Sequence, residues 1–276
     1  MNIHAIYFSP GGTTQKTVLT IAHSISNEFV NTKVYQYNML NKENRHRKYC
    51  FAENDIVILG LMTLVKPFGP VNEIFKCIKG NKTPIINIAL FGNGMYGNSL
   101  KVMNKEVRKR GFVNIASGAF IGAMSYNRNV AKNRPDEKDL LLQKNFAKQI
   151  ANKISSNTLS EVNKYKTDYP KKSIFHYLKT FFMQYMPLGK IKVIKPLNTL
   201  EFNDNCVRCG KCEQNCPVHA IELHKKVSDN KICIGCLACV NNCDVKGINY
   251  TNILMIKAAN DCENLFINRR EPCLFL

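Results

Sequence analysis

The chain has 276 residues, 45% of them hydrophobic, which is enough for one full-sized domain and a smaller second one. Its formal net charge is +19, and this excess lies entirely in residues 1–200, because acidic and basic side chains balance in residues 201–276. The longest apolar runs, such as Ile56 to Val65, fall well short of the roughly 20 residues that cross a bilayer. We therefore expect no transmembrane span.

The N-terminus lacks the features of a secretory signal. Met1 to Ser9 has no basic region, and a glycine turn follows where a cleavage site would stand. This predicts a cytoplasmic protein, in which the twelve cysteines stay reduced and available as metal ligands. Metal binding is therefore a more plausible role for them than a disulfide framework.

Strand-like and helix-like patterns alternate through residues 1–156. The predicted strands are Ile3–Phe8, Val34–Tyr37, Asp55–Leu61, Ile85–Phe91 and Phe112–Phe120. The predicted helices are Thr14–Phe29, Val71–Ile78, Ser99–Arg110 and Asp136–Ile154. Five strands with interleaved helices predict a doubly wound, five-stranded parallel sheet.

Residues 157–198 are polar and rich in lysine, with three prolines, and are predicted to form a basic linker. Within this linker, Ser173 to Met186 repeats apolar residues at helical spacing. Two interpretations remain open for this amphipathic helix. It packs as a strut against the two domains, or it lies on an anionic membrane surface.

Two runs of four cysteines in residues 199–276 share the spacing C-x2-C-x2-C-x3-C, which is typical of bacterial two-cluster ferredoxins. In such runs the fourth cysteine binds the cluster held by the other run. The first predicted 4Fe-4S ligand set is Cys206, Cys209, Cys212 and Cys243. The second predicted 4Fe-4S ligand set is Cys216, Cys233, Cys236 and Cys239.

The alternative for these cysteines is a pair of zinc sites, although zinc sites more often use cysteine pairs separated by a long gap. Pro217 follows the first run, whereas Asp244 takes the corresponding position after the second, where it would place a carboxylate beside the first cluster. A small α+β ferredoxin-like domain with a C-terminal tail is predicted for residues 199–276. The other four cysteines are interpreted as free thiols.

A glycine-rich turn separates the first predicted strand from the first predicted helix. A turn of this kind presents backbone N–H groups, hydroxyls and the positive end of a helix dipole to a phosphate. The candidate phosphate-binding residues are Ser9, Pro10, Gly11, Gly12, Thr13 and Thr14.

With these motifs the chain resembles the flavodoxin-ferredoxin fusion family of anaerobic bacteria over nearly its full length. The resemblance implies an α/β flavodoxin-like fold that binds FMN, with the phosphate at the glycine-rich turn. Gly11 stands where such turns often carry threonine, and Met62 and Leu64 stand where proline and an aromatic residue are usual. The flavin-ring contacts implied by the resemblance are Met62, Thr63, Asn93, Gly94, Tyr96, Gly97 and Asn98.

The leading hypothesis is a redox protein that passes electrons between two 4Fe-4S clusters and FMN, without a dedicated catalytic residue. The basic surroundings favour the negative charge of reduced flavin and predict electron flow from clusters to flavin. They also predict an acidic redox partner such as a ferredoxin, and we do not expect nucleic acid as a partner. The alternatives are an FMN-dependent reductase of a small acceptor and a redox-sensing module that has lost FMN.

Overall fold

The computed structural model describes residues 1–168, 200–229 and 231–276, so the predicted helix Ser173–Met186 lies outside the described residues. None of the helices in those ranges has the length and hydropathy needed to cross a bilayer. In chain order, the described elements are β1 (Asn2–Phe8), α1 (Thr13–Ser26), β2 (Lys33–Asn38), α2 (Lys42–His46), β3 (Tyr49–Phe51), β4 (Ile56–Met62), α3 (Val71–Cys77), β5 (Ile78–Gly80), β6 (Thr83–Phe91), α4 (Ser99–Arg108), β7 (Phe112–Ile121), α5 (Glu137–Ser155), β8 (Leu200–Phe202), α6 (Lys211–Gln214), β9 (Ile221–Glu222), a 3-10 turn (Leu223–Lys225), β10 (Val227–Ser228), α7 (Ala238–Asn241), β11 (Ile248–Tyr250), α8 (Ile253–Leu265) and β12 (Cys273–Phe275).

The central sheet contains the five predicted strands, all parallel, in the order β2-β1-β4-β6-β7. Counted by their position in the chain, these strands run 2-1-3-4-5, which is the flavodoxin-like doubly wound order. All nine residues of β6 are buried, as expected for a strand with both faces covered by helices. The flavodoxin-like fold predicted for the first part of the chain is confirmed.

Two apolar cores lie on the two faces of this sheet. On one face α1 and α5 pack together, and Phe120 of β7 contacts Phe146 of α5 with ring centroids 5.7 Å apart. The close approach of α1 to the sheet depends on Gly60 in β4, because a Cβ there would stand 2.2 Å from Cγ2 of Val18. This packing fixes the N-terminus of α1 at the carboxyl edge of the sheet.

A sixth strand, β12, was not predicted. It pairs antiparallel with β7 and places Cys273 beside Ala119. Two arginines attach the preceding segment to the sheet unit: Arg269 forms an ion pair with Asp136 at 2.5 Å, and Arg134 donates to the carbonyl of Arg270 at 2.9 Å. The predicted C-terminal tail therefore returns to the first unit, and the cysteine-rich segment is held between two parts of the same sheet.

The cysteine-rich segment forms a small α+β unit built from short antiparallel pairs, β8 with β11 and β9 with β10. Its contact with the sheet unit is intimate, because Cys236 and Ala238 belong to the same apolar core as Phe91. The buried guanidinium of Arg45 also crosses between the units and donates to the carbonyl of Pro217.

Candidate cofactor sites

The second cysteine set lines one apolar cavity in the small unit. This set consists of Cys216, Cys233, Cys236 and Cys239. Cys216 comes from the first run, and its proximity contributes to the raised pKa values of Cys233, Cys236 and Cys239. The structure therefore brings together the four residues that the spacing grouped.

The thiols of Cys233, Cys236 and Cys239 in the second cysteine set are poor anions without a bound metal, because burial raises the pKa of each. Burial, followed by repulsion from neighbouring thiols, raises the pKa of Cys236 to about 12 and also raises the pKa of Cys239. A bound iron–sulfur core would supply the positive charge that buried thiolates need, so the donor set fits a cluster.

The first cysteine set consists of Cys206, Cys209, Cys212 and Cys243. Lys211 follows Cys209 of the first run and forms an ion pair with Asp244, which follows Cys243 of the second. The carboxylate of Asp244 raises the pKa of Lys211, and the charges of both Cys209 and Cys243 act in the same direction. Cys243 therefore lies beside the first run. Asp244 is at the position expected from the sequence, and its charge is paired.

Gly247 supports the same grouping. A Cβ at this residue would stand 2.7 Å from the Cα of Cys206, so the segment after Cys243 packs directly on the first run. The first cysteine set is nearer the surface than the second, because Cys209 is exposed and Cys206 and Cys243 are half-buried.

The two runs repeat the same backbone conformation. In the first run, the residues before and after Cys209, Arg208 and Gly210, have a positive φ. In the second run, the residues before and after Cys236, Gly235 and Leu237, do the same. These turns wrap the backbone around the thiols.

The fourth cysteine of each run accepts a backbone hydrogen bond from the residue four positions later. The N–H of Ala220 lies 3.2 Å from Sγ of Cys216, and the N–H of Gly247 lies 3.1 Å from Sγ of Cys243. Hydrogen bonds to cluster sulfurs are one of the means by which proteins adjust the reduction potential of a cluster.

A zinc site requires several ligand side chains that converge on one metal ion. Within the described residues, no three His, Cys, Asp or Glu side chains are placed to hold one metal ion together. A cubane does not require such convergence, because each of its four thiolates binds a separate iron atom.

A crevice opens at the carboxyl edge of the central sheet, beside the point between β1 and β4 where the strand order reverses. Doubly wound proteins bind ligands at this position. The crevice is lined by Pro10, Gly11, Thr13, Thr14, Met62, Thr63, Leu64, Leu90, Phe91, Gly92, Gly122, Ala123, Met124, Ser125 and Tyr126.

The phosphate loop, Ser9 to Thr14, forms one side of this crevice. Gly12 has φ of 81°, which allows the chain to turn into α1, and neither a side-chain cap nor an acidic residue occupies the first turn of that helix. The hydroxyl of Ser9 shapes the loop by accepting the N–H of Gln15 at 2.9 Å. Thr14 is 2% exposed, and its hydroxyl makes no hydrogen bond to any described residue. The loop therefore fits an anionic group at the helix N-terminus.

The loop after β6, which the resemblance implies lies at the flavin edge, bonds to other segments of the chain. Tyr96 is only 1% exposed, and its hydroxyl donates to the carbonyl of Lys166 at 2.9 Å. Asn93 donates to the carbonyl of Phe266 at 2.6 Å, and the ring of Phe266 fills the space beside Gly94.

The other members of that loop also bond to protein. The N–H of Gly97 donates to Asp168, and the N–H of Asn98 donates to Val65, both at 3.1 Å. The predicted ring contacts Asn93, Gly94, Tyr96, Gly97 and Asn98 thus contact other segments, and they are not among the residues that line the crevice. Met62 and Thr63 do line it, as implied.

The loop after β7, residues 122–126, lines the crevice and was missed in the sequence. It contributes an aromatic side chain, Tyr126, and the same rule that singles out carboxyl ends of parallel strands would have identified it. The second cysteine run contacts this loop and the phosphate loop. Tyr126 donates to the carbonyl of Gly235 at 2.5 Å, and Asn242 donates to the carbonyl of Pro10 at 3.0 Å. The Tyr126–Gly235 contact therefore places the second cysteine set beside the crevice, whereas Asn242 directly precedes Cys243 of the first set.

Comparisons with known proteins agree with these assignments in part. The profile of a family described as a 4Fe-4S binding domain matches residues 202–222, which supports at least one 4Fe-4S cluster. No curated protein matches the chain. Similar solved structures include a flavodoxin from the domain Archaea (16% identity, 56% of this chain and 99% of that chain, TM-score 0.39). Others are oxidised flavodoxin 1 from Bacillus cereus (13% identity, 55% and 98%, TM-score 0.40) and an azoreductase from Bacillus anthracis (9% identity, 55% and 99%, TM-score 0.38).

Proposed function

We propose that this chain is an electron-transfer protein that carries two 4Fe-4S clusters, one on each cysteine set, and FMN in the crevice. The observation that carries the proposal is the contact between the two sites. The cavity lined by the second cysteine set lies against the loop that lines the crevice, through Tyr126 and Gly235. This contact suits a protein in which electrons pass between a cluster on the second cysteine set and a flavin in the crevice.

The residues of the chain have separate parts in this function. FMN, when bound, supplies the conversion between one-electron and two-electron chemistry. The phosphate loop holds the anionic end of the cofactor, and the residues around Met62 and Tyr126 shape the remainder of the crevice. The apolar wall around Cys236 and Cys239 excludes water from the second cysteine set.

Burial sets the order in which the two cysteine sets would be used. Cys209 of the first set is exposed, and Val207, which follows Cys206 of the same set, is 66% exposed, so this end of the small unit is open to another protein. Cys236 and Cys239 of the second set are buried, and Cys236 packs in the same apolar core as Phe91, which lines the crevice. Electrons from a partner would therefore arrive at the first set and reach the flavin through the second.

Cofactor content tests the proposal. We expect about eight iron atoms per chain, as two 4Fe-4S clusters require, with equal sulfide and a stoichiometric amount of FMN. The measurement is iron, sulfide and flavin analysis of protein purified without oxygen. About four iron atoms, or bound zinc, would contradict the two-cluster assignment, and a lack of flavin would contradict only the crevice assignment.

Salt dependence tests the partner. Because the net charge of +19 lies in residues 1–200, reduction of the flavin by an acidic ferredoxin should slow markedly with added salt. The Debye length falls from about 10 Å at 0.1 M to about 3 Å at 1 M, which removes long-range attraction. Second-order rates are measured across that range, with a neutral small-molecule reductant as control. Equal salt dependence for the two reductants would remove the basic surface from partner recognition.

A further inference from the structure

Arg128 lies over the phosphate loop, although it is 117 residues away in sequence. Its Nη1 donates to the carbonyl of Gly11 at 3.3 Å. Gly11 leaves the room for this contact, because a Cβ at that residue would stand 3.0 Å from Nη1 of Arg128 and 3.1 Å from Oγ of Ser125. A guanidinium and a hydroxyl therefore occupy the space that a larger side chain at Gly11 would take.

Arg128 has no carboxylate partner within hydrogen-bonding distance among the described residues, and the first turn of α1 contains no acidic residue. The unpartnered hydroxyl of Thr14, nearly fully buried, faces the same crevice. The guanidinium of Arg128, the hydroxyl of Thr14 and the N-terminus of α1 therefore lie together. This combination suits a doubly charged oxyanion.

The loop that carries these two residues is held in position by its neighbours. The N–H of Met124 donates to the carbonyl of Val130 at 3.1 Å, and Asn127 donates to Glu263 at 2.9 Å. Asn241, which lies between Cys239 and Cys243 of the second run, donates to the carbonyl of Ser125 at 3.3 Å. Ser125 and Arg128 therefore approach the phosphate loop on a braced turn.

We propose that Arg128 and Ser125 bind the phosphate monoester of the flavin and make the crevice selective for FMN over riboflavin. The planar guanidinium offers two parallel N–H groups to phosphate oxygens. The hydroxyl of Ser125 donates to Sδ of Met62 at 3.6 Å, a weak acceptor, and by rotating offers a third donor to the phosphate. This inference rests on the proposed binding of FMN in the crevice, and it adds residues from the loop after β7 to the phosphate site.

Parallel titrations with FMN and riboflavin test it. Flavin is removed anaerobically from the full-length chain with its clusters intact, and binding is followed by flavin fluorescence. The Arg128→Ala variant should bind FMN about tenfold more weakly, because one charge-assisted contact is lost, and should bind riboflavin as the unmodified chain does. Ser125→Ala should show a smaller loss, again for FMN only. Arg47→Ala, an equal change of charge at an exposed arginine outside the crevice, should change neither affinity.

The two ligands separate the possible failures. If Arg128→Ala weakens FMN and riboflavin equally, or leaves FMN binding unchanged, the inference is wrong while the flavin site stands. If the unmodified chain binds neither flavin, the proposed FMN site itself is wrong. An unchanged melting temperature of Arg128→Ala with weakened FMN binding would support a direct contact with the phosphate.

Discussion

Replacing Cys243 by alanine is expected to remove the cluster bound by the first run of cysteines and to leave the cluster of its own run in place. The reason is the position of Cys243, which shares the neighbourhood of Lys211 with Cys209 and precedes the turn that packs on Cys206. Iron content should fall by about half, from two cubanes to one. Iron and sulfide analysis, together with low-temperature electron paramagnetic resonance of the reduced protein, measures the loss.

Two further variants complete this test. Cys216→Ala should show the reciprocal result and remove the cluster of the second run, because Cys216 lines the second cavity. Cys50→Ala replaces an exposed thiol outside both sets and should leave the iron content unchanged. Loss of the second-run cluster in Cys243→Ala would refute the interleaved ligand sets.

Replacing Cys239 by alanine is expected to stop electron delivery to the flavin, although the first cluster remains. Cys239 is a buried member of the second cysteine set, which lies beside the crevice through the contact of Gly235 with Tyr126. The rate of flavin reduction by a ferredoxin should fall to the level reached with a small-molecule reductant of the same potential. Stopped-flow spectroscopy follows flavin and cluster absorbance separately.

The comparison between variants decides the order of transfer. In Cys239→Ala the ferredoxin should still reduce the exposed first cluster at an unchanged rate. In Cys243→Ala, reduction by the ferredoxin should be slow, while electrons placed on the second cluster should still reach the flavin. Rapid flavin reduction in Cys239→Ala would show that the first cluster communicates with the crevice directly and would overturn the proposed order.

The sequence was sufficient to predict features that depend on residues close together in the chain. The five parallel strands follow from apolar runs separated by helices, and β6, buried along its whole length, was the plainest of them. The grouping of eight cysteines into two runs follows from their spacing, whereas the exchange of Cys216 and Cys243 between the sets follows from the pattern of two-cluster ferredoxins.

Prediction failed where distant segments compete for the same space. Tyr96 stands in a loop at the correct edge of the sheet, but Phe266 and Arg270 from the C-terminal segment fill the space beside that loop. No local sequence pattern predicts this contact. β12 was missed for a related reason, because three residues carry no periodicity and their pairing is decided by the free edge of β7.

The pairing of β12 with β7 has a consequence for the order of folding. The two strands are separated by about 150 residues, so during synthesis β7 remains an open edge until the whole cysteine-rich segment has been made. An open sheet edge is a template for pairing with another chain. If cluster insertion fails, β12 returns to the sheet late and the nascent chains are exposed to aggregation. Cells short of iron should therefore accumulate this protein in inclusion bodies.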